Sequence, residues 1–126
     1  MNGIDYLADT NAILYFLSGN ECMIPFVSSH FAFSVINEME LLSYHGITEE
    51  EEHHIREFLS ECISIGLTES IKERAIRLRR TYNIKLPDAI IAASAIENDI
   101  ILITADTGFA KVRELKLKLI EPIIND

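Results

Sequence analysis

Ile100-Ile101-Leu102-Ile103-Thr104 carries no charge and is almost entirely β-branched. A strand with one face in water alternates apolar and polar residues. This one does not, so it reads as a strand buried on both faces, in the interior of a parallel sheet covered by helices. Its flanks agree. Pro87 fits the first turn of a helix running to about Asn98. Downstream, Thr107 to Leu115 reads as a short helix and Leu117 to Ile120 as a last strand.

The same alternation extends back to the N-terminus. Ile4 to Ala8 reads as a first strand, and Asn11 to Ser18 as a helix ended by Gly19 and Asn20. His30 to Phe33 is a short strand, followed by a helix from about Val35 to Tyr44 that ends near Gly46. Thr48 and Glu51 form a T-x-x-E capping box for the next helix. On it Ile55, Phe58, Leu59 and Cys62 fall at i, i+3, i+4 and i+7, one apolar face. Ser64 to Leu67 reads as a short strand. A long helix then sets Ile71, Ala75, Leu78 and Tyr82 on one side. Strands alternating with helices in this way indicate an α/β fold with helices on both faces of the sheet.

The chain has 126 residues, the size of one domain with one core, and the reading is a single domain over 1–126. Only a residue or two at each end reads as unstructured. No apolar run is long enough to span a bilayer, and no secretory leader is legible, so a cytoplasmic location is expected. Cys22 and Cys62 match no metal or redox spacing and read as free thiols. The net charge of −9 argues at first against a nucleic-acid partner. The distribution softens that objection, since residues 1–71 carry −11 and residues 72–126 carry +2.

In an open α/β sheet, ligands bind beyond the carboxyl ends of the strands. Asp9 follows the first strand and Asp106 follows the strand at 100–104, so both face one crevice. Asp88 sits in the first turn of the helix opened by Pro87, with small residues at Ala89, Ala92 and Ala93. Glu40 lies on the helix after the second strand. Taken singly, each has an ordinary explanation: Asp9 and Asp106 as helix or turn caps, Asp88 as a favourable charge at a helix start. Together, in apolar surroundings, they would repel one another unless a hard cation intervened, and Mg2+ or Mn2+ suits an all-oxygen donor set. Glu38 competes with Glu40. Two positions apart on a helix they point to nearly opposite sides, and periodicity alone does not choose between them.

These residues resemble the motifs of the PIN-domain family. Tyr6-Leu7-Ala8-Asp9-Thr10-Asn11 is similar to its opening motif. Ser34-Val35-Ile36-Asn37-Glu38-Met39-Glu40-Leu41-Leu42 is similar to its second, in which a Glu-Leu follows a Ser by six positions, and this favours Glu40. Leu86-Pro87-Asp88-Ala89-Ile90-Ile91-Ala92-Ala93 resembles the third, and Leu102-Ile103-Thr104-Ala105-Asp106-Thr107-Gly108-Phe109 the fourth. The resemblance runs from about residue 4 to 120, and the length is like that of VapC-type toxins of toxin–antitoxin pairs. Many relatives carry Asn where this chain has Ala105.

The resemblance implies a three-layer α/β/α fold with a central, mainly parallel sheet. It implies a ribonuclease whose Mg2+ or Mn2+ is held by Asp9, Glu40, Asp88 and Asp106, with Thr10, Asn11 and Thr104 orienting the carboxylates. Its implied partners are RNA, a cognate antitoxin and a second copy of the chain in a homodimer.

Two other readings compete. A Mg2+-dependent phosphatase or phosphotransfer domain also places Asp after a strand, but the phosphatase pattern would want Asp at position 11, which is Asn11, and a receiver domain would want paired acids. A degenerate member that only binds a partner is the second. Lys72, Arg74, Arg77, Arg79, Arg80 and Lys85 hold six of the eleven bases, either as a solvated helix face or as phosphate contacts, with Arg77 and Arg80 the candidates. His30, His45, His53 and His54 are possible ligands or acid–base groups; His53 and His54, following the acids Glu49 to Glu52 of a charged first helical turn, read instead as a solvated face.

Overall fold

The charge-free run forms strand β4, Ile101–Thr104, with Leu102 and Ile103 fully buried. The structure, a computed structural model, describes residues 3–124. The chain ends expected to lack order lie outside that range. β4 belongs to one five-stranded sheet with β1 (Tyr6–Ala8), β2 (Phe31–Ser34), β3 (Ile63–Ile65) and β5 (Leu117–Leu119). The order is β3-β2-β1-β4-β5 and every pairing is parallel. β1 is therefore the centre and β4 its neighbour.

Period-two alternation sends successive side chains to opposite faces. Leu7, Ala32 and Leu102 join one core with helices α4 (Glu69–Thr81) and α5 (Leu86–Glu97). Ala8, Phe31, Phe33 and Ile103 join the other, against α1 (Thr10–Leu17), α2 (Val35–Ser43) and α3 (Glu49–Ser60). This is the three-layer α/β/α architecture expected from sequence. Helix α5 is buried around much of its circumference, Ala89 to Ala95 without a break, which is why its small residues are needed.

Several boundaries differ from expectation. β1 starts at Tyr6 because the Asp5 and Tyr6 amides both turn to the His30 carbonyl. β3 ends at Ile65, since Thr68 already caps α4 through the Ile71 amide. A 3-10 segment, Glu21–Phe26, fills a stretch to which the sequence assigned no element. Residues 107–115 are not an α-helix; only Thr107–Lys111 is helical, and it is 3-10. The capping box of Thr48 and Glu51 is present in both directions. Among the described residues no helix is long and apolar enough to cross a membrane. Cys22 and Cys62 are free thiols, and burial pushes the Cys62 thiol up to about 11, which keeps it protonated at neutral pH.

Candidate active site

The strand order places the site. From β1 the chain builds outward through β2 and β3, then returns to lay β4 and β5 on the other side. The crevice between β1 and β4, at their carboxyl ends, is the switch point where such sheets bind ligands. Asp9 leaves β1 there and Asp106 leaves β4 there, two residues past its end. The Asp9 amide donates to the Ile103 carbonyl at 3.0 Å, so the two strand ends are joined at the site itself.

Asp9 is held at both oxygens. Oδ1 accepts from the Thr10 amide at 2.8 Å and Oδ2 from the Thr104 hydroxyl at 2.7 Å. Thr104, fully buried, also accepts from the Asp106 amide at 3.0 Å, so one hydroxyl sets two of the acids. The Thr10 hydroxyl donates to Glu40 Oε1 at 2.7 Å and accepts from Asn37 Nδ2 at 3.1 Å. Asn37 is fully buried, and its Oδ1 accepts from the Ser34 amide, closing the capping box of α2. Asp88, half-buried in the first turn of α5, has no side-chain hydrogen bond among the described residues.

The acids feel one another. Burial, first, raises the Asp9 carboxyl above its ordinary value, and the charges of Asp88 and Glu40 add to that, against the two hydrogen bonds that lower it. Burial also raises Asp88, with Asp106 and Glu40 adding to it and Lys85 opposing. Among the described residues no ion pair reaches any of the four. The four acids are thus electrostatically coupled at the carboxyl ends of β1 and β4, with Lys85 opposing at Asp88 and no ion pair to any of them among the described residues. Glu38 enters neither shift and donates nothing to the cluster.

The donor set is all carboxylate oxygen, with no histidine or cysteine in it, which fits a hard divalent cation and not zinc. Among the described residues no three acidic, histidine or cysteine side chains are gathered tightly enough to enclose an ion.

Of the residues expected to orient the acids, Thr10 and Thr104 do so. Asn11 is exposed and makes no side-chain hydrogen bond among the described residues. Asn37 was missed. Its signal was the Ser34-x-x-Asn37 spacing, a capping pattern lying inside a motif that was read for its glutamates. Ala105 packs against the apolar cluster on the α1–α3 face. All four histidines are exposed; His53 faces Glu57 at 3.3 Å and His30 faces Asp5 at 3.8 Å. Arg77 and Arg80 are both exposed and form no ion pair among the described residues.

The chain matches the family model of the PIN domain over residues 6–115. Among solved structures it is similar to a toxin–antitoxin complex from Klebsiella pneumoniae, at 31% identity and TM-score 0.76, covering 88% of this chain and 95% of that one. It is also similar to VapBC2 from Rickettsia felis, solved bound to a promoter DNA fragment, at 21% identity and TM-score 0.80, covering 94% and 100%. A third is VapBC-1 from nontypeable Haemophilus influenzae, at 21% identity and TM-score 0.79, covering 92% and 98%. No curated protein matches the sequence.

Proposed function

The chain belongs to the PIN-domain family and has a VapC-like fold, and from that premise we propose that it is a metal-dependent endoribonuclease, the toxin of a toxin–antitoxin pair. The observation that carries the reading is the electrostatic coupling of Asp9, Glu40, Asp88 and Asp106 near the β1–β4 switch point, with no ion pair to any of them among the described residues. Asp9, Glu40 and Asp88 would hold Mg2+ or Mn2+, with Asp106 completing the site directly or through water. Such an ion, when bound, supplies the Lewis-acid charge that activates water and stabilises the leaving oxygen of a phosphodiester.

The chain's own part is positioning. Thr104 and the Thr10 amide fix both Asp9 oxygens, so that carboxylate cannot swing out of the cleft. Asn37 holds the Thr10 hydroxyl, which directs its proton to Glu40 and leaves the other Glu40 oxygen free. Asp106 uses Oδ1 on the Gly108 amide and keeps Oδ2 available. Asp9 and Asp106 each accept from a backbone amide through Oδ1, Glu40 accepts from the Thr10 hydroxyl, and Asp88 makes no side-chain hydrogen bond among the described residues. The relatives solved as VapBC complexes support a cognate antitoxin as the partner. A homodimer and a cytoplasmic setting complete the reading.

The test is cleavage of single-stranded RNA by purified protein with Mg2+ or Mn2+ supplied and then removed. Cleavage is expected only with the cation. Cleavage that survives excess chelator undiminished sinks the metal assignment. Phosphate released from small phosphoesters with RNA left intact points instead to the phosphatase reading.

A further inference from the structure

The acidic cleft opens on one side into basic ground. Asp88 and Asp106 line a cleft of about 170 Å3 together with Asn83, Ile84, Lys85 and Lys111. Asn83 and Ile84 also wall the adjoining cavity, about 410 Å3, whose lining includes Arg79, Arg80, Tyr82 and Leu86. One short segment between α4 and α5 therefore separates the acids from a larger slot.

The bases along this groove form no ion pair among the described residues. Four of the eleven bases are engaged by carboxylates: Arg56 by Glu52, Lys72 by Glu69, Arg74 by Glu97 and Lys116 by Asp99. None of those four lines the groove. Arg79, Arg80, Lys85 and Lys111, which do, form no ion pair among the described residues. Arg79 donates instead to the Ile84 carbonyl at 3.3 Å and Lys111 to the Asn83 carbonyl at 2.9 Å, so both are tethered to the dividing segment. In a chain of net charge −9, four bases without a salt bridge gathered along one groove favour contact with a polyanion.

The slot's walls are not only basic. Leu86 is 49% exposed and Ile76 38%. The Tyr82 ring beside them is held by its hydroxyl, which donates to Glu114 and accepts from the Arg113 amide. Unpaired bases stack on aromatic rings and on guanidinium planes, and both are present here. The cavity falls within the roughly 300–1,000 Å3 range of small-molecule sites, so one base with its ribose has room. A base inside a duplex has both faces covered by its neighbours and is excluded.

We propose that this slot seats the unpaired base of a nucleotide flanking the scissile phosphodiester, while Lys85 and Lys111 meet the backbone between slot and acids. The inference rests on the ribonuclease reading and adds to it the residues that would recognise a base beside the cut.

The test compares a labelled single-stranded RNA with an abasic strand of the same length. Binding to the full chain is followed by fluorescence anisotropy in excess chelator, which keeps the RNA intact. Wild type is expected to prefer the base-bearing strand by roughly 5- to 150-fold, the worth of one stacked base. Arg80→Ala and Leu86→Ser, both at exposed positions, should each erase most of that preference. Arg77→Ala, on the same helix but outside both cavities, should retain it. Wild type without a preference, or slot variants that keep it whole, overturns the slot. Metal-dependent cleavage is scored separately on wild type. Cleavage without base preference removes the slot and leaves the ribonuclease. Base preference without cleavage removes the ribonuclease, and with it the placement beside a scissile bond.

Discussion

Asp9 is at once a helix cap and a member of the acid cluster, and the two roles use different oxygens. The ordinary explanation and the functional one therefore do not compete. Asp106 repeats the pattern, capping its 3-10 turn through the Gly108 amide. The choice between the two glutamates follows the same logic of reach. Glu40 receives the Thr10 hydroxyl and its charge bears on Asp9 and Asp88, whereas Glu38 does neither. Glu40→Gln is expected to abolish cleavage with the fold intact, and Glu38→Gln to leave activity near wild type; the reverse result would withdraw the site assignment on α2. Thr104→Val keeps the shape of a buried β-branched residue and removes the bonds to Asp9 and the Asp106 amide. Metal affinity should fall roughly 10- to 100-fold, read by titrating cleavage against Mg2+, and an unchanged midpoint would show that Thr104 only packs. Three of the four acids were legible because they sit at strand ends or a helix start, where position alone restricts direction. Glu40 lies in mid-helix, where only the spacing from Ser34 singled it out. Asn37 was hidden because its side chain works across 27 residues of sequence, a contact that no local pattern records.

Helix starts carry much of the local stability, and they were the most legible part of the elements. Thr48 accepts from the Glu51 amide at 3.1 Å while Glu51 returns a bond to the Thr48 amide. The Tyr44 hydroxyl also donates to Glu51, and this bond chiefly holds its carboxyl below the ordinary range. Thr48→Ala should cost about 1 kcal/mol in denaturant unfolding and leave cleavage unchanged, because α3 is remote from the acids. A loss of cleavage in step with stability would tie α3 to the site after all. Two elements escaped the sequence for physical reasons. Glu21–Phe26 contains Pro25 and lacks a 3.6-residue repeat, so its 3-10 geometry follows from the Asn20 cap and the burial of Met23 and Phe26. Between 107 and 115 the buried residues are Phe109, Val112 and Leu115, spaced by three. That is the repeat of a 3-10 helix, and the amides of 109, 112 and 115 each bond three residues back. The same spacing of three also fits one face of an α-helix, so the sequence alone does not separate the two.

At the scale of the whole molecule, the four acids carry charge that no ion pair among the described residues offsets. Because Asp88 is raised in the folded chain, the folded state binds its proton more tightly than the unfolded one. Its stabilising share is whole below the unfolded value and is lost as pH rises through the raised one. Asp88→Asn should therefore be at least as stable as wild type in chelator at neutral pH, with the gap in Tm closing as pH falls through that window. Adding Mg2+ at 100 times its Kd should stabilise wild type by about 2.7 kcal/mol and the variant by much less. Equal metal-induced shifts would show that Asp88 is no ligand. The bond from Thr104 to Asp9 spans 95 residues, and the strand between them in the sheet order is none. β1 can pair with β2 as soon as residues 31–34 have left the ribosome, but its other edge waits for residues 101–104. Such long-range parallel pairing forms late. The nascent chain therefore lacks Asp106 altogether, and holds Asp9 by one bond fewer, until most of its length is synthesised. On the proposed reading, the acid set would be complete only after the C-terminal segment is released, which would leave an interval for a partner to meet the chain before it is armed.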